Sequence, residues 1–228
     1  MQINKLYLNQ GADNASGVAV IIDVFRAFTV ECFLIKNGAA RIYPVASIDL
    51  AYQMKQENRD YILIGERNEK KCEGFDFGNS PTHILKHDFS GKTIVHTTSS
   101  GTQGINRAVN AREILTGSFV NASAIVDYLK RTKPTLVSLV PMGYEGRYRT
   151  QEDDFCADYI ANALEGRDSD FQQMVEQIRI GDGARLLDPR NHAHSPASDF
   201  DLCLDLNRFN FVLKVLKDDQ GRHYIEKV

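Results

Sequence analysis

The stretch VAVIIDVFRAFTV at Val18–Val30 decides the fold. Val18, Val20, Ile21 and Ile22 form a continuous apolar run, the pattern of a strand covered on both faces. The run stops at Asp23 and Arg26, and a helical pattern follows over Ala27–Lys36, closed by Asn37-Gly38. Tyr61–Ile64 repeats the design and stops at Glu66 and Arg67. In open α/β sheets ligands sit outside the carboxyl ends of the strands. Two strand ends carrying an acid and an arginine therefore point to one polar site, suited to a metal and an anion.

Working outward, strand-like runs at Ile3–Leu8, Val18–Val24, Arg41–Val45, Tyr61–Ile64, Thr93–His96, Glu113–Thr116 and Thr135–Val140 alternate with helical patterns. The helices are expected over Ala27–Lys36, Ile48–Glu57, Gly101–Ala108, Ala122–Lys130, Glu152–Ala163 and Asp170–Ile180, with Ser47 and Asn121 as N-caps. FNFVLKVLKDDQGRHYIEKV at the C-terminal end reads as an antiparallel hairpin around Asp219-Gln-Gly221. The fold class is α/β: a largely parallel or mixed sheet between helical layers, closed by that hairpin. No repeat or low-complexity linker interrupts the chain, so residues 1–228 are expected to form a single domain.

The 228 residues, 43% of them hydrophobic, suffice for a large core, and no apolar run approaches the roughly 20 residues of a spanning helix. MQINKLYLNQG lacks a secretory apolar stretch, so a cytoplasmic protein without membrane partners is expected. A formal charge of −3 with dispersed Lys and Arg gives no footprint for nucleic acid. Self-association is left open. Cys32, Cys72, Cys156 and Cys203 are scattered and read as reduced thiols, with Cys72 incidental for want of a cationic partner. His192 and His194 lack a zinc spacing and are expected on the solvent side.

Three further segments carry chemistry. GERNEKKCEGFDFGNSP at Gly65–Pro81 combines acids, small residues and backbone donors without a packing period, which favours function over filler. Glu66 and Asp76 are metal candidates there, and Asn79 and Ser80 substrate candidates, although Asn79-Ser-Pro81 also fits a turn and helix start. TIVHTTSSGTQGINRA at Thr93–Ala108 places hydroxyls and a glycine at a helix start, an anion cradle formed by Thr97, Thr98, Ser100, Gly101 and Thr102. A Ser/Thr N-cap explains much of the same pattern. In QEDDFCADYI, Glu152, Asp153 and Asp154 suit a helix start electrostatically, and Asp153 is a further metal candidate. Asp23, Glu66 and Asp76 or Asp153 would hold Mg²⁺, a hard cation that takes carboxylates and phosphate oxygens. Arg26 and Arg67 would fork onto the substrate.

With IDVFRAFT, GERNEKKCEGFDFGNSP, HTTSSGT and QEDDFCADYIANAL in the same order, the chain resembles the 2-phosphosulfolactate phosphatase family, the ComB-like proteins. The resemblance implies a three-layer α/β/α fold and a Mg²⁺-dependent phosphatase. Its substrate would be a small anionic 2-phospho acid, yielding 3-sulfolactate and phosphate. Asp23, Arg26, Glu66 and Arg67 would be the catalytic set. Three positions depart from the family pattern: Phe28 after DVFRA, Ser100 before the glycine of the third motif, and Pro141-Met-Gly143 at a strand end. The metal acids are retained, so the reaction class follows more directly than the substrate. The rival reading is a non-catalytic module that binds a small phosphorylated or sulfonated acid. Buried carboxylates argue against it, since an anion binder gains nothing from them without a cation between.

Overall fold

The computed structural model describes residues 1–228. Ten strands form one sheet: β1 (Gln2–Lys5), β2 (Gly17–Ile22), β3 (Arg41–Pro44), β4 (Ile62–Arg67), β5 (Lys70–Lys71), β6 (Thr93–Thr97), β7 (Ala111–Gly117), β8 (Leu136–Pro141), β9 (Leu213–Lys217) and β10 (His223–Lys227). The helices are α1 (Leu8–Asp13), α2 (Ala27–Lys36), α3 (Ile48–Glu57), α4 (Pro81–Ile84), α5 (Gly101–Arg107), α6 (Ala122–Thr132), α7 (Gln151–Glu165), α8 (Phe171–Ile180), α9 (Ala184–Leu187) and α10 (Ser198–Cys203). The strands lie in the order β1-β8-β2-β7-β9-β10-β3-β6-β4-β5. β1, β8, β2 and β7 are mutually parallel, as are β3, β6 and β4.

The C-terminal hairpin lies in the middle of the sheet, where β9 pairs antiparallel with β7, and β10 with β3. Its alternating Leu213, Val215 and Ile225 are buried, which suits a strand pair enclosed by neighbours on both sides. Passing through it, the two parallel blocks run in opposite senses along the ladder. Their carboxyl ends nevertheless meet, since Asp23 after β2 and Glu66 of β4 line the same cleft.

Both faces of the sheet are covered, as the sequence leads one to expect. Ala19 and Ile21 of β2, with Ile42, Ile64 and Ile94 of the other block, pack on α2 through Phe28, Val30, Phe33 and Leu34. Val18, Val20 and Ile22 face the opposite way, onto α6 and α7 through Ile125, Leu129, Cys156 and Ile160. Tyr43, Leu63 and Val95 pack on Ala51 and Met54 of α3. β5, α9 and α10 lie outside the predicted elements, and two others differ from expectation. Leu8 begins α1 rather than ending a strand, and β4 runs on to Arg67. The extension exists because Asn68 and Glu69, both with positive φ, make a two-residue turn that pairs Glu66 with Lys71 and Arg67 with Lys70.

Candidate active site

Strand ends from both blocks line one small open cleft, bordered by Asp23, Arg26, Glu66, Asn79, Thr98–Ser100 and Gly143. Asp23 follows β2 and reaches the starts of two helices. Its Oδ1 accepts the Ala27 N–H of α2 at 3.1 Å, and its Oδ2 accepts the Gly101 N–H of α5 at 2.8 Å. A Cβ at Gly101 would stand 2.8 Å from that Oδ2, so glycine is what lets the carboxylate sit against the helix end. Asp153, in the first turn of α7, accepts the Val24 and Gly143 N–H groups, each at 2.8 Å, and so ties the ends of β2 and β8 together.

Burial dominates the electrostatics of these acids. It pushes the Asp23 carboxyl up to about 7 against the opposing pull of its Ala27 and Gly101 hydrogen bonds, and the charge of Glu66 adds to the rise. Asp153 is pushed well above the usual carboxylate range by burial, by Asp23 and by Glu152. Glu66 accepts the Ser99 N–H at 2.7 Å on Oε1, and the Ser99 hydroxyl and Glu69 N–H on Oε2.

The hydroxyl-rich start of α5 therefore holds the protein's own carboxylates. The N–H groups of Ser99 and Gly101 go to Glu66 and Asp23, and those of Thr98 and Thr102 go to each other's side chains. Thr98, Ser99 and Ser100 line the cleft, while Gly101 shapes it from behind. Ser100 Oγ donates to the Gly143 carbonyl at 2.6 Å and accepts the Gly146 N–H, pinning the loop after β8. Thr97 and Thr102 stay buried behind the wall.

The two arginines read from the sequence separate. Arg26 borders the cleft, its Nη1 held by Asp199 Oδ2 at 2.7 Å and the His194 carbonyl at 2.8 Å. Asp199, fully buried at the start of α10, also takes the Ser80 hydroxyl and the Thr82 N–H, so Ser80 supports the site without lining it. Arg67 faces away, bonded to the Glu66 and Ala46 carbonyls and to Thr97 Oγ1 at 2.9 Å. Its place on the rim is taken by Arg185 of α9, which donates to Glu152 Oε1 at 2.7 Å and Glu69 Oε1 at 3.2 Å. Asp76 does not join the acids: its Oδ2 accepts the Leu63 N–H at 2.8 Å and lies 3.6 Å from Lys55 Nζ. His194 is exposed and His192 partly so, and Cys72 is a buried free thiol pushed up by burial.

Asn68, Glu69, Tyr144, Glu145, Asp199 and Arg185 are the site residues missed in the sequence. Arg185 sits in GDGARLLDP, where the close glycines were the available signal for a loop shaped around a site.

Fold and cleft together define a three-layer α/β protein whose buried acids and arginines converge at strand ends. The model of the family described as 2-phosphosulpholactate phosphatase matches residues 6–218. A Thermotoga petrophila protein named "Probable 2-phosphosulfolactate phosphatase" is 41% identical over 167 residues, covering 73% of this chain and 66% of its own length. A Carboxydothermus hydrogenoformans protein of the same name is 38% identical over 72% of this chain and 68% of its own length. A third, from Caldanaerobacter subterraneus, is 29% identical over 86% of both chains. The chain thus belongs to the 2-phosphosulfolactate phosphatase family, and its match spans about two thirds of the Thermotoga relative.

Proposed function

We propose that the chain is a Mg²⁺-dependent phosphomonoesterase acting on a small acid that carries a second anionic group, with 2-phosphosulfolactate, cleaved to 3-sulfolactate and phosphate, as its foremost substrate. Family membership supports the reaction class. The observation that carries the reading is Asp23, a buried carboxyl pushed up to about 7, opposite Glu66 in a cleft rimmed by Arg26 and Arg185.

The donor set fits Mg²⁺ in a sparse form. No three of the site's acids converge as a protein cage, but Mg²⁺ is commonly bound by one or two carboxylates together with substrate phosphates and water. Asp23 and Glu66 would hold the ion, which supplies charge neutralisation at the phosphoryl group. Ionised Asp23 has no cation bonded to it within the protein, so a bound cation offsets the cost of its burial. Asp153 and Asp76 fit the role less well: Asp153 bridges two backbone N–H groups and Asp76 stands apart.

The protein's own groups position the rest. Arg26, fixed through Nη1 by Asp199 and the His194 carbonyl, would turn its other guanidinium donors to substrate oxygens. Arg185 offers a second cation on the rim and Asn79 a neutral polar group, while Ser99 and Ser100 hold Glu66 and the loop after β8 in place. The test is phosphate release from 2-phosphosulfolactate with Mg²⁺ and with excess EDTA. Release that stops on chelation and returns with Mg²⁺ is expected. Equal rates in both overturn the metal assignment, and no release in either favours a binding module.

A further inference from the structure

Behind the cleft, β6 and α2 enclose an ionisable pair. His96 Nδ1 lies 2.9 Å from Glu31 Oε1, and both side chains are completely buried. On its other side His96 Nε2 lies 3.2 Å from Asn79 Oδ1. Asn79 borders the cleft, and its side chain is hydrogen-bonded within the protein through its oxygen alone.

Charge balance limits where the protons are. Burial pushes the Glu31 carboxyl up while the hydrogen bond to His96 pulls the other way, and a net charge sealed in this interior is strongly disfavoured. A neutral pair has three forms: carboxylate with imidazolium; acid protonated on Oε1 with imidazole protonated at Nε2; and acid protonated on Oε2 with imidazole protonated at Nδ1 and Nε2 bare. The placement of the Asn79 oxygen, 3.2 Å from Nε2, selects the two forms in which Nε2 carries a proton. With that Nε2–H as donor, the Asn79 amide is held with its oxygen inward.

We infer that Glu31 and His96 are positioning residues that lock the Asn79 amide with its NH₂ facing the cleft, as a donor to an anionic substrate oxygen. This rests on the reading of the cleft as a phosphoester site. The lock matters because the flipped amide would present a carbonyl oxygen to an anion instead of two donors. Rotation is blocked by a proton whose own place is set two residues away.

Two measurements test this. Two-bond ¹H–¹⁵N correlation spectra of the wild-type protein should show His96 protonated at Nε2 at pH 7; a bare Nε2 overturns the inference alone. Calorimetric titration with inorganic phosphate in Mg²⁺ then compares wild type, Asn79→Ala, the double variant Glu31→Leu/His96→Leu, and the triple variant. Asn79→Ala should weaken binding roughly tenfold, the scale of one hydrogen bond to a charged group. The double variant should weaken it comparably, and the triple variant no further than Asn79→Ala. An unchanged affinity in the double variant, or a triple variant that sums both losses, overturns the lock. Absence of phosphate binding by wild type overturns the cleft reading, and the donor role with it.

Discussion

Replacing Asp23 with Asn should alter stability in a way that reverses with pH. In the folded protein the Asp23 carboxyl lies at about 7, against 3.8 when unhindered. Well below pH 3.8 both states hold the proton and the residue contributes no penalty. As pH rises from there to 7 the unfolded chain ionises while the folded one keeps its proton, so folding stability is lost through that window. A shift of about three units corresponds to about 4 kcal/mol once the folded carboxyl has ionised. About 2–3 kcal/mol of this falls between pH 5 and pH 8. Asn escapes the penalty but sets an amide NH₂ against the N–H of Ala27 or Gly101, a cost of about 1–3 kcal/mol that does not vary with pH. Asp23→Asn is therefore expected to be less stable than wild type below pH 4, close to it near pH 5, and more stable by about 1–3 kcal/mol at pH 8. Urea unfolding in EDTA at pH 5, 6, 7 and 8 gives the difference directly, and effects of other titrating groups largely cancel in the subtraction. Parallel curves for the two proteins across this range would refute the argument that Asp23 is a strained, cation-seeking carboxyl.

Other perturbations separate the roles of neighbouring groups. Arg185→Ala leaves the buried Glu152 without its partner and should cost about 3 kcal/mol in urea unfolding; a loss under 1 kcal/mol would make the contact incidental. Gly101→Ala drives a Cβ to 2.8 Å from Asp23 Oδ2 and 2.9 Å from Ala27 Cβ. It should lower kcat at least about tenfold through the displaced carboxylate, and wild-type kcat would show that the Asp23 position tolerates movement. Asp76→Asn should leave kcat/KM unchanged and shift stability by no more than about 1 kcal/mol, since Asp76 bonds Leu63 and Lys55 outside the cleft. Activity lost on that substitution would bring Asp76 into the site.

Much of the framework is legible because burial on both faces leaves an unambiguous mark. Val18–Ile22 could hardly be anything but a covered strand, and Asp23 stands out by ending it. Glu66 stands out for the same reason, whereas period two turns Arg67 to the other side of the strand. Once β4 extends to Arg67, adjacent residues face opposite sides, so Glu66 in the cleft puts Arg67 out of it. The turn at Asn68-Glu69 that prolongs the strand uses two non-glycine residues at positive φ, which sequence preference argues against. Asp76 looked like a ligand because a chain acid near a strand end has no other evident task. Its task is to accept the Leu63 N–H where the loop returns along β4. Arg185 and Asp199 come from the segment after α8, which reaches the cleft by tertiary packing alone and carries no period to announce it.

The central claim is that the cleft reads a phosphate together with a second negative charge. It is tested most directly by kcat/KM for 2-phosphosulfolactate, phospholactate and glycerol phosphate in Mg²⁺. A second anion held by a paired arginine contact is worth about 1.5–3 kcal/mol, so the two acids should exceed glycerol phosphate by roughly ten- to a hundredfold. Equal values, or a preference for glycerol phosphate, would contradict the account even in an active phosphatase.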